Sequence, residues 1–235
     1  MKRVIGLILA LLLLIGGIGT LLYPRIQQEL YEREAQRVIA AFNARLDVHR
    51  AESADGSLDW LYELIRAYNE ELYQTGQVHL ADPFSLEQIG FSLRQFGFDE
   101  EMIGFIEIPR INSELPIYLG ASDANLARGA AHLTHTSLPI GGSNTNAVIA
   151  AHSGWTRARF FSAITELRHG DDIFIHNFRE TLHYQVVETL VIMPNDIEQI
   201  VIQPERDLVT LLTCYQRVRG VWQRRYLVFA ERVEE

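Results

Sequence analysis

The chain has 235 residues, 48% of them apolar, which is enough to bury a core and too apolar for a disordered or low-complexity protein. Acidic residues outnumber basic ones 30 to 21, and the resulting net charge of -9 argues against a protein that grips nucleic-acid backbones with a positive face. The single cysteine, Cys214, excludes an intrachain disulfide and leaves a buried filler, an intermolecular bridge or a reactive thiol.

Met1, Lys2 and Arg3 precede an uncharged stretch from Val4 to Tyr23. As a helix this stretch rises about 30 Å, the thickness of a bilayer's hydrocarbon core. A secretory signal would have a shorter apolar region ending in a small-residue cleavage site, and Ile18-Gly19-Thr20-Leu21-Leu22-Tyr23 offers none. Residues 1–23 therefore read as an uncleaved anchor with a short cytoplasmic tip, the basic pair inside and everything after about Pro24 outside. No second stretch of spanning length occurs in the sequence.

From Arg25 to about Arg50 a charged helix is expected, with Ile26, Leu30, Ala35, Ile39 and Phe42 on one side. Residues 53–57 break it, and a second helix follows from about Asp59 to Thr75 on the stripe Leu61, Leu64, Ile65, Tyr68 and Leu72. Asp82-Pro83-Phe84 opens a new section, with a short helix expected from Ser85. After Gly97 the pattern turns to strands: 103–109, 115–120, 147–151, 172–176, 182–191, 208–213 and 225–230. Short helical pieces are expected at 123–126, 160–167 and 196–199, and Pro139-Ile140-Gly141-Gly142 and His169-Gly170-Asp171 read as turns. Many strands with intermittent short helices predict a mostly β protein built as a small, mainly antiparallel barrel rather than βαβ units.

Cys214 closes the apolar run Leu208-Val209-Thr210-Leu211-Leu212-Thr213, which places a thiol at a strand rim where a loop leaves it reachable. Arg217, Arg219, Arg224 and Arg225 follow within eleven residues, and nearby cations favour the thiolate that attacks a carbonyl. Among eight histidines, His152 has the best position for acid–base work, directly after the strand Ala147-Val148-Ile149-Ala150-Ala151. His132 and His135 lie near Thr136-Ser137-Leu138-Pro139, where each is either part of a site wall or structural. An arginine suits an oxyanion, and Arg225 begins the strand Tyr226-Leu227-Val228-Phe229; Arg224 would point to the opposite face. No cofactor, metal site or phosphate loop is read from the chain.

The run Thr210-Leu211-Leu212-Thr213-Cys214, with Ala151-His152 before it and Arg225-Tyr226-Leu227-Val228 after it, resembles the sortase transpeptidases, and the wider pattern resembles their pilus-assembling branch, class C. Matches at residues 103–109, 115–118, 136–139 and 141–142 extend the likeness over nearly the whole soluble part. The resemblance implies an eight-stranded sortase β-barrel preceded by helices and one transmembrane helix. It implies three regions: an anchor at 1–23, an extracellular helical region at 24–98 with a lid segment near 80–86, and a catalytic barrel at 99–235. It assigns Cys214 as nucleophile, His152 as acid/base and Arg225 as the oxyanion-steadying residue, with His132, Ser137, Leu138 and Thr213 as possible substrate contacts. Asp82, Pro83 and Phe84 resemble the family's lid, whose Asp engages the arginine and whose aromatic ring covers the cysteine; a plain Asx-Pro turn is the other reading.

The implied reaction cleaves an LPxTG-like sorting signal between Thr and Gly and transfers the acyl group to a pilin lysine, with pilins as partners. The implied setting is the plasma membrane of a Gram-positive bacterium, single-pass, with the catalytic domain outside. A cell-wall-anchoring sortase that uses a peptidoglycan-precursor amine, a peptidase releasing its product to water, and a silent membrane-tethered binding domain are the alternatives. The sequence departs from the branch after the cysteine, where Tyr215-Gln216-Arg217-Val218 replaces a Thr-Pro-Tyr-Gly-like turn, and after His152, where Ser153-Gly154 replaces an Arg-Gly pair. Lys2 is the only lysine. An acyltransferase to lysine would thus spare itself, although a genomic bias toward arginine gives the same composition.

Overall fold

The computed structural model describes residues 2–52, 57–78, 80, 93–96, 101–154, 158–218 and 221–233. Its first element, α1, runs unbroken from Lys2 to Glu52, so the expected anchor and the first charged helix are one helix. Pro24 lies inside it, where the apolar part meets the charged part, and the one backbone bond that proline forfeits falls at that boundary. The N-terminal part is the one helix among the described residues long and apolar enough to cross a membrane, and that stretch is unburied.

The second half of α1 turns Ala35, Ile39, Phe42 and Leu46 inward at helical spacing, and α2 (Ser57–Thr75) does the same with Leu61, Ile65 and Leu72. Asn69 stands in this second stripe and is buried, because its amide does the work of a strand neighbour. Its Nδ2 donates to the Leu138 carbonyl at 3.0 Å and its Oδ1 accepts from the Leu138 N–H at 2.7 Å, fixing α2 to the 133–142 loop.

The body is a closed eight-stranded barrel in the order β1-β2-β3-β4-β7-β8-β6-β5. The strands are β1 (Met102–Ile108), β2 (Ser113–Leu119), β3 (Ala130–His132), β4 (Thr145–Ala150), β5 (Asp172–Asn177), β6 (Thr181–Ile192), β7 (Asp207–Val218) and β8 (Val221–Arg232). A single turn of helix, α3 (Asp123–Leu126), joins β2 to β3 and is capped by the Ser122 hydroxyl. Neighbours are antiparallel except β2–β3 and β4–β7, which run parallel.

Seven strands fall where alternation predicts them, and β3 is the addition. Gly129, directly before this strand, has no room for a side chain: a Cβ there would lie 2.6 Å from the Pro116 carbonyl oxygen of β2. The strands β7 and β8 are also longer than expected, pairing through Val218↔Val221, so Cys214 lies within a long hairpin and not at the end of a strand. The stretch 160–167 is mostly turn, with a 3-10 helix only at Ile164–Glu166.

Alternation splits the side chains of β4, β7 and β8 between two apolar clusters. Ala147, Ile149, Val209, Leu211, Val228 and Ala230 fill the barrel interior. Val148, Ala150, Leu212, Leu227 and Phe229 face outward and are covered by Ile192, Ile200 and Leu80. This covered outer face leads directly to the candidate site.

Candidate active site

Cys214 and Arg225 belong to the adjacent strands β7 and β8, and His152 follows the end of their neighbour β4 by two residues. Cys214 of β7 is paired across the hairpin with Arg225 of β8. On its other side, β4 and β7 run in parallel register through Ala150↔Leu212, and the ladder continues where the Ala151 N–H donates to the Leu212 carbonyl at 3.2 Å. The next residues of the two segments are His152 and Cys214, each one position beyond the Thr213–Ala151 tie. Parity then decides direction. Cys214 shares the face of Leu212, and Arg225 that of Leu227, both members of the outer cluster. Arg224 pairs with Tyr215 on the opposite parity and is exposed.

The backbone around the thiol is held from both sides. The Thr213 hydroxyl donates to the Ala151 carbonyl at 2.7 Å, tying the residue before the cysteine to the residue before the histidine. On the inner parity the Tyr215 and Tyr226 rings meet at 5.4 Å and stiffen the hairpin behind Cys214. The Phe161 N–H donates to the His152 carbonyl at 3.0 Å, and the Phe160 ring lies 6.3 Å from the imidazole, so the connection after β4 folds back onto the histidine.

Electrostatics follow from this half-buried position. Burial pushes the Cys214 thiol up from its ordinary value, and the Arg225 guanidinium opposes that by favouring the thiolate. Burial lowers the His152 imidazole, opposed by the carboxylate of Asp123 at the start of α3. Near neutrality the resting pair is therefore mainly thiol and neutral imidazole, with thiolate and imidazolium as a minor form. A cation beside the sulfur and a weakly basic imidazole just past the neighbouring strand are the parts a thioacyl exchange needs.

His132, Ser137, Leu138 and Thr213, expected as possible substrate contacts, are all buried. His132 Nε2 lies 3.1 Å from the Thr136 and Ser137 carbonyls, and the Ser137 hydroxyl accepts from the Asn146 N–H. Leu138 is held by Asn69, and Thr213 by Ala151. These bonds are made inside the protein. Asp82, Pro83 and Phe84 lie outside the described residues; Leu80 packs in the outer cluster. Leu80 is steered there by Gln77, whose side chain donates to the His135 carbonyl and accepts from the Ile202 N–H.

Asp123 and Phe160 were not singled out in the sequence. Nothing local marks them: Asp123 reads as a helix-start acid and Phe160 as one more core aromatic. Only the closure of the barrel brings them to His152.

A model of the sortase domain matches residues 106–233. Among curated proteins, sortase D of Bacillus subtilis is 30% identical over 129 residues, 54% of this chain and 62% of that protein, so the match spans less than two thirds of this relative's length. Among solved structures, a pilus-related sortase C of Group B Streptococcus is 35% identical, covers 80% of this chain and 95% of its own, and superposes with a TM-score of 0.68. Sortase C-1 of Streptococcus pneumoniae is 36% identical, with coverage of 84% and 98% and a TM-score of 0.71.

Proposed function

Because the chain belongs to the sortase family of cysteine transpeptidases, we propose that it is a membrane-tethered, pilus-assembling member that joins surface proteins through Cys214, His152 and Arg225. The observation that supports this reading is the pairing of Cys214 with Arg225 across β7 and β8, beside the parallel strand β4 that His152 follows by two residues. The likeness to the pilus-related sortase C of Group B Streptococcus supports the choice of branch.

In this mechanism the Cys214 thiolate attacks the Thr carbonyl carbon of an LPxTG-like signal, and the Arg225 guanidinium hydrogen-bonds the oxyanion of the tetrahedral intermediate. The Thr–Gly C–N bond then breaks, and the His152 imidazolium gives its proton to the departing Gly amine. A thioester remains on Cys214 with His152 neutral. A lysine amine of a second pilin attacks that thioester and loses a proton to His152, and the C–S bond breaks. An isopeptide bond forms and the thiolate–imidazolium pair is restored. The absence of lysine after Lys2 leaves no ε-amine in the outer domain to intercept the thioester.

With α1 spanning the bacterial plasma membrane and the basic pair inside, the barrel stands on the outer side, where sorting signals and acceptor amines meet. The helical region 24–98 and the barrel 99–235 then act as positioning and catalytic parts. Asp82, Pro83 and Phe84 act as a lid over Cys214, so that Asp82→Ala with Phe84→Ala raises alkylation of the thiol; an unchanged rate removes the lid.

Intact-mass spectrometry of the full chain in detergent, incubated with an LPxTG peptide and a lysine-bearing pilin fragment, tests the main reading. A thioacyl adduct that requires Cys214 and passes to the lysine supports it. Transfer only to a peptidoglycan-precursor amine shifts the reading to wall anchoring, and no adduct with any signal, lid open, leaves a silent binding domain.

A further inference from the structure

The part of α1 nearest the membrane reaches the segment that carries His152. Gln28 and Tyr31 lie one helical turn apart, and both meet residues 159–160. The Gln28 side-chain carbonyl accepts from the Arg159 N–H at 2.8 Å. The Tyr31 ring meets Phe160 edge-on, with centroids 4.9 Å apart and planes at 69°, while its hydroxyl donates to the Arg128 carbonyl at 3.2 Å. Phe160 then faces the imidazole at 6.3 Å, and its neighbour Phe161 bonds the His152 carbonyl. A second tie between the two ends of this connection runs from the Gly154 N–H to the Ser162 hydroxyl at 2.9 Å. A continuous line of contacts thus runs from the helix to the ring.

Phe160 holds φ at +36°, a left-handed backbone that a bulky side chain rarely adopts. Such a residue costs of order 1–3 kcal/mol and persists where its surroundings over-determine it. Here Gln28 fixes the N–H one residue before it and Tyr31 fixes its ring. Further along, α1 packs on the barrel through Ile39, Phe42 and Leu46, and the Gln36 amide donates to the Glu114 carboxylate of β2. A cleft of about 390 Å³, lined by Glu32, Gln36, Glu107, Ile111 and Glu114 among others, separates α1 from the β1–β2 turn. Ala158, Phe160, Phe161 and Ile164 of the histidine segment belong to the same core as Ile39 and Phe42 of α1, and Gln28 and Tyr31 add specific contacts at its edge.

We propose that Gln28 and Tyr31 are positioning residues: α1 sets the orientation of His152 through Arg159 and Phe160, so that seating of the membrane helix and proton transfer at the site are coupled. The inference rests on the reading of His152 as the proton-transfer residue. Among the described residues, the charged group acting on that imidazole is Asp123 of α3, with Cys214 of β7 and Arg225 of β8 paired beyond the end of β4; Tyr31 of α1 stands behind the Phe160 ring.

The test uses the full chain in lipid nanodiscs, with an LPxTG peptide as donor and an amine acceptor, and follows kcat, KM, melting and the NMR titration of the His152 ring. The double variant Gln28→Ala/Tyr31→Ala is expected to lower kcat about tenfold or more with KM within about twofold, because misplacing a reacting group is felt in the chemical step. The His152 titration should move up toward the ordinary imidazole value as Phe160 withdraws. Tyr31→Phe, which keeps the ring, should restore kcat. Unchanged kcat and titration in the double variant overturn the proposal. If the double variant melts below the assay temperature, Gln28→Ala alone, which removes the bonds to the Arg159 N–H and to the exposed Glu32 carboxylate, is judged by the same criteria. Full activity of His152→Ala overturns instead the assignment of His152, a result separable from the others.

Discussion

His132 and His152 stand at the ends of neighbouring strands, and burial lowers the basicity of both, yet the two regions use their imidazoles in opposite ways. His132 is fully enclosed, its Nε2 among the Thr136 and Ser137 carbonyls and the Thr136 hydroxyl, and burial holds it down to about 4. Two carbonyl neighbours require Nε2 to be the donor, and Nδ1 is buried with no hydrogen-bond partner. His152 is half-buried, and what surrounds it comes from other elements: Asp123 and Phe160. A ring locked by the carbonyls of its own loop is a brace. One left half-open, just past the strand that pairs with the thiol's own, can exchange a proton.

The largest expected effect separates the two regions by activity. Cys214→Ala and His152→Ala should each reduce acyl transfer by about a thousandfold or more while leaving the melting temperature nearly unchanged, since a half-buried reactive group carries little packing. An assay of peptide cleavage beside a thermal melt checks this. A comparable loss from His132→Asn at full stability would erase the distinction.

The converse substitution falls on stability. His132→Ala strands the carbonyls of Thr136 and Ser137 and opens a cavity, and should cost about 3 kcal/mol or more in chemical unfolding. Activity well below the melting point should stay within about threefold of the parent, because β4 and β7 remain joined by their own ladder.

The same brace gives a pH dependence of known sign. Unfolding lets His132 bind a proton near its ordinary 6.5, whereas the folded protein resists protonation until about 4. Between those values the unfolded state holds more protons, so stability falls as pH drops from 6.5 toward 4, by roughly 3 kcal/mol in all, and this contribution is flat above 6.5. Melts across that range should show the slope in the parent and a reduced slope in His132→Asn.

What could be read in advance divides along similar lines. Strands with apolar alternation were legible because burial on one face writes itself into the residue order, as in Asp172–Asn177. Ala130–His132 was not, since its pairing with β2 and β4 depends on small residues allowing close approach, a property shared with many loops. Cys214, His152 and Arg225 stood out because each adjoins an apolar run, and period two alone separates Arg225 from Arg224. The buried state of Ser137 and Leu138 was hidden, because polarity and motif say nothing about which way a loop turns, and Asn69 lies 69 positions from the backbone it satisfies. Gln28 and Arg159 are 131 positions apart, and no local pattern could connect them.

The finest contrast lies within the site itself, between the two adjacent arginines. Arg225 faces Cys214 across the hairpin and favours the thiolate, whereas Arg224 faces Tyr215 on the other parity. Arg225→Gln should therefore move the alkylation profile of the thiol to higher pH, because a cation that lowers its basicity is gone while the burial that raises it remains. Arg224→Gln should leave the profile in place. The measurement is the rate of iodoacetamide capture by intact mass across pH, and the shift should be modest, since solvent reaching a half-buried sulfur screens the guanidinium. Equal shifts from both substitutions would mean that the whole hairpin's charge, and not the register partner, sets the reactivity of Cys214.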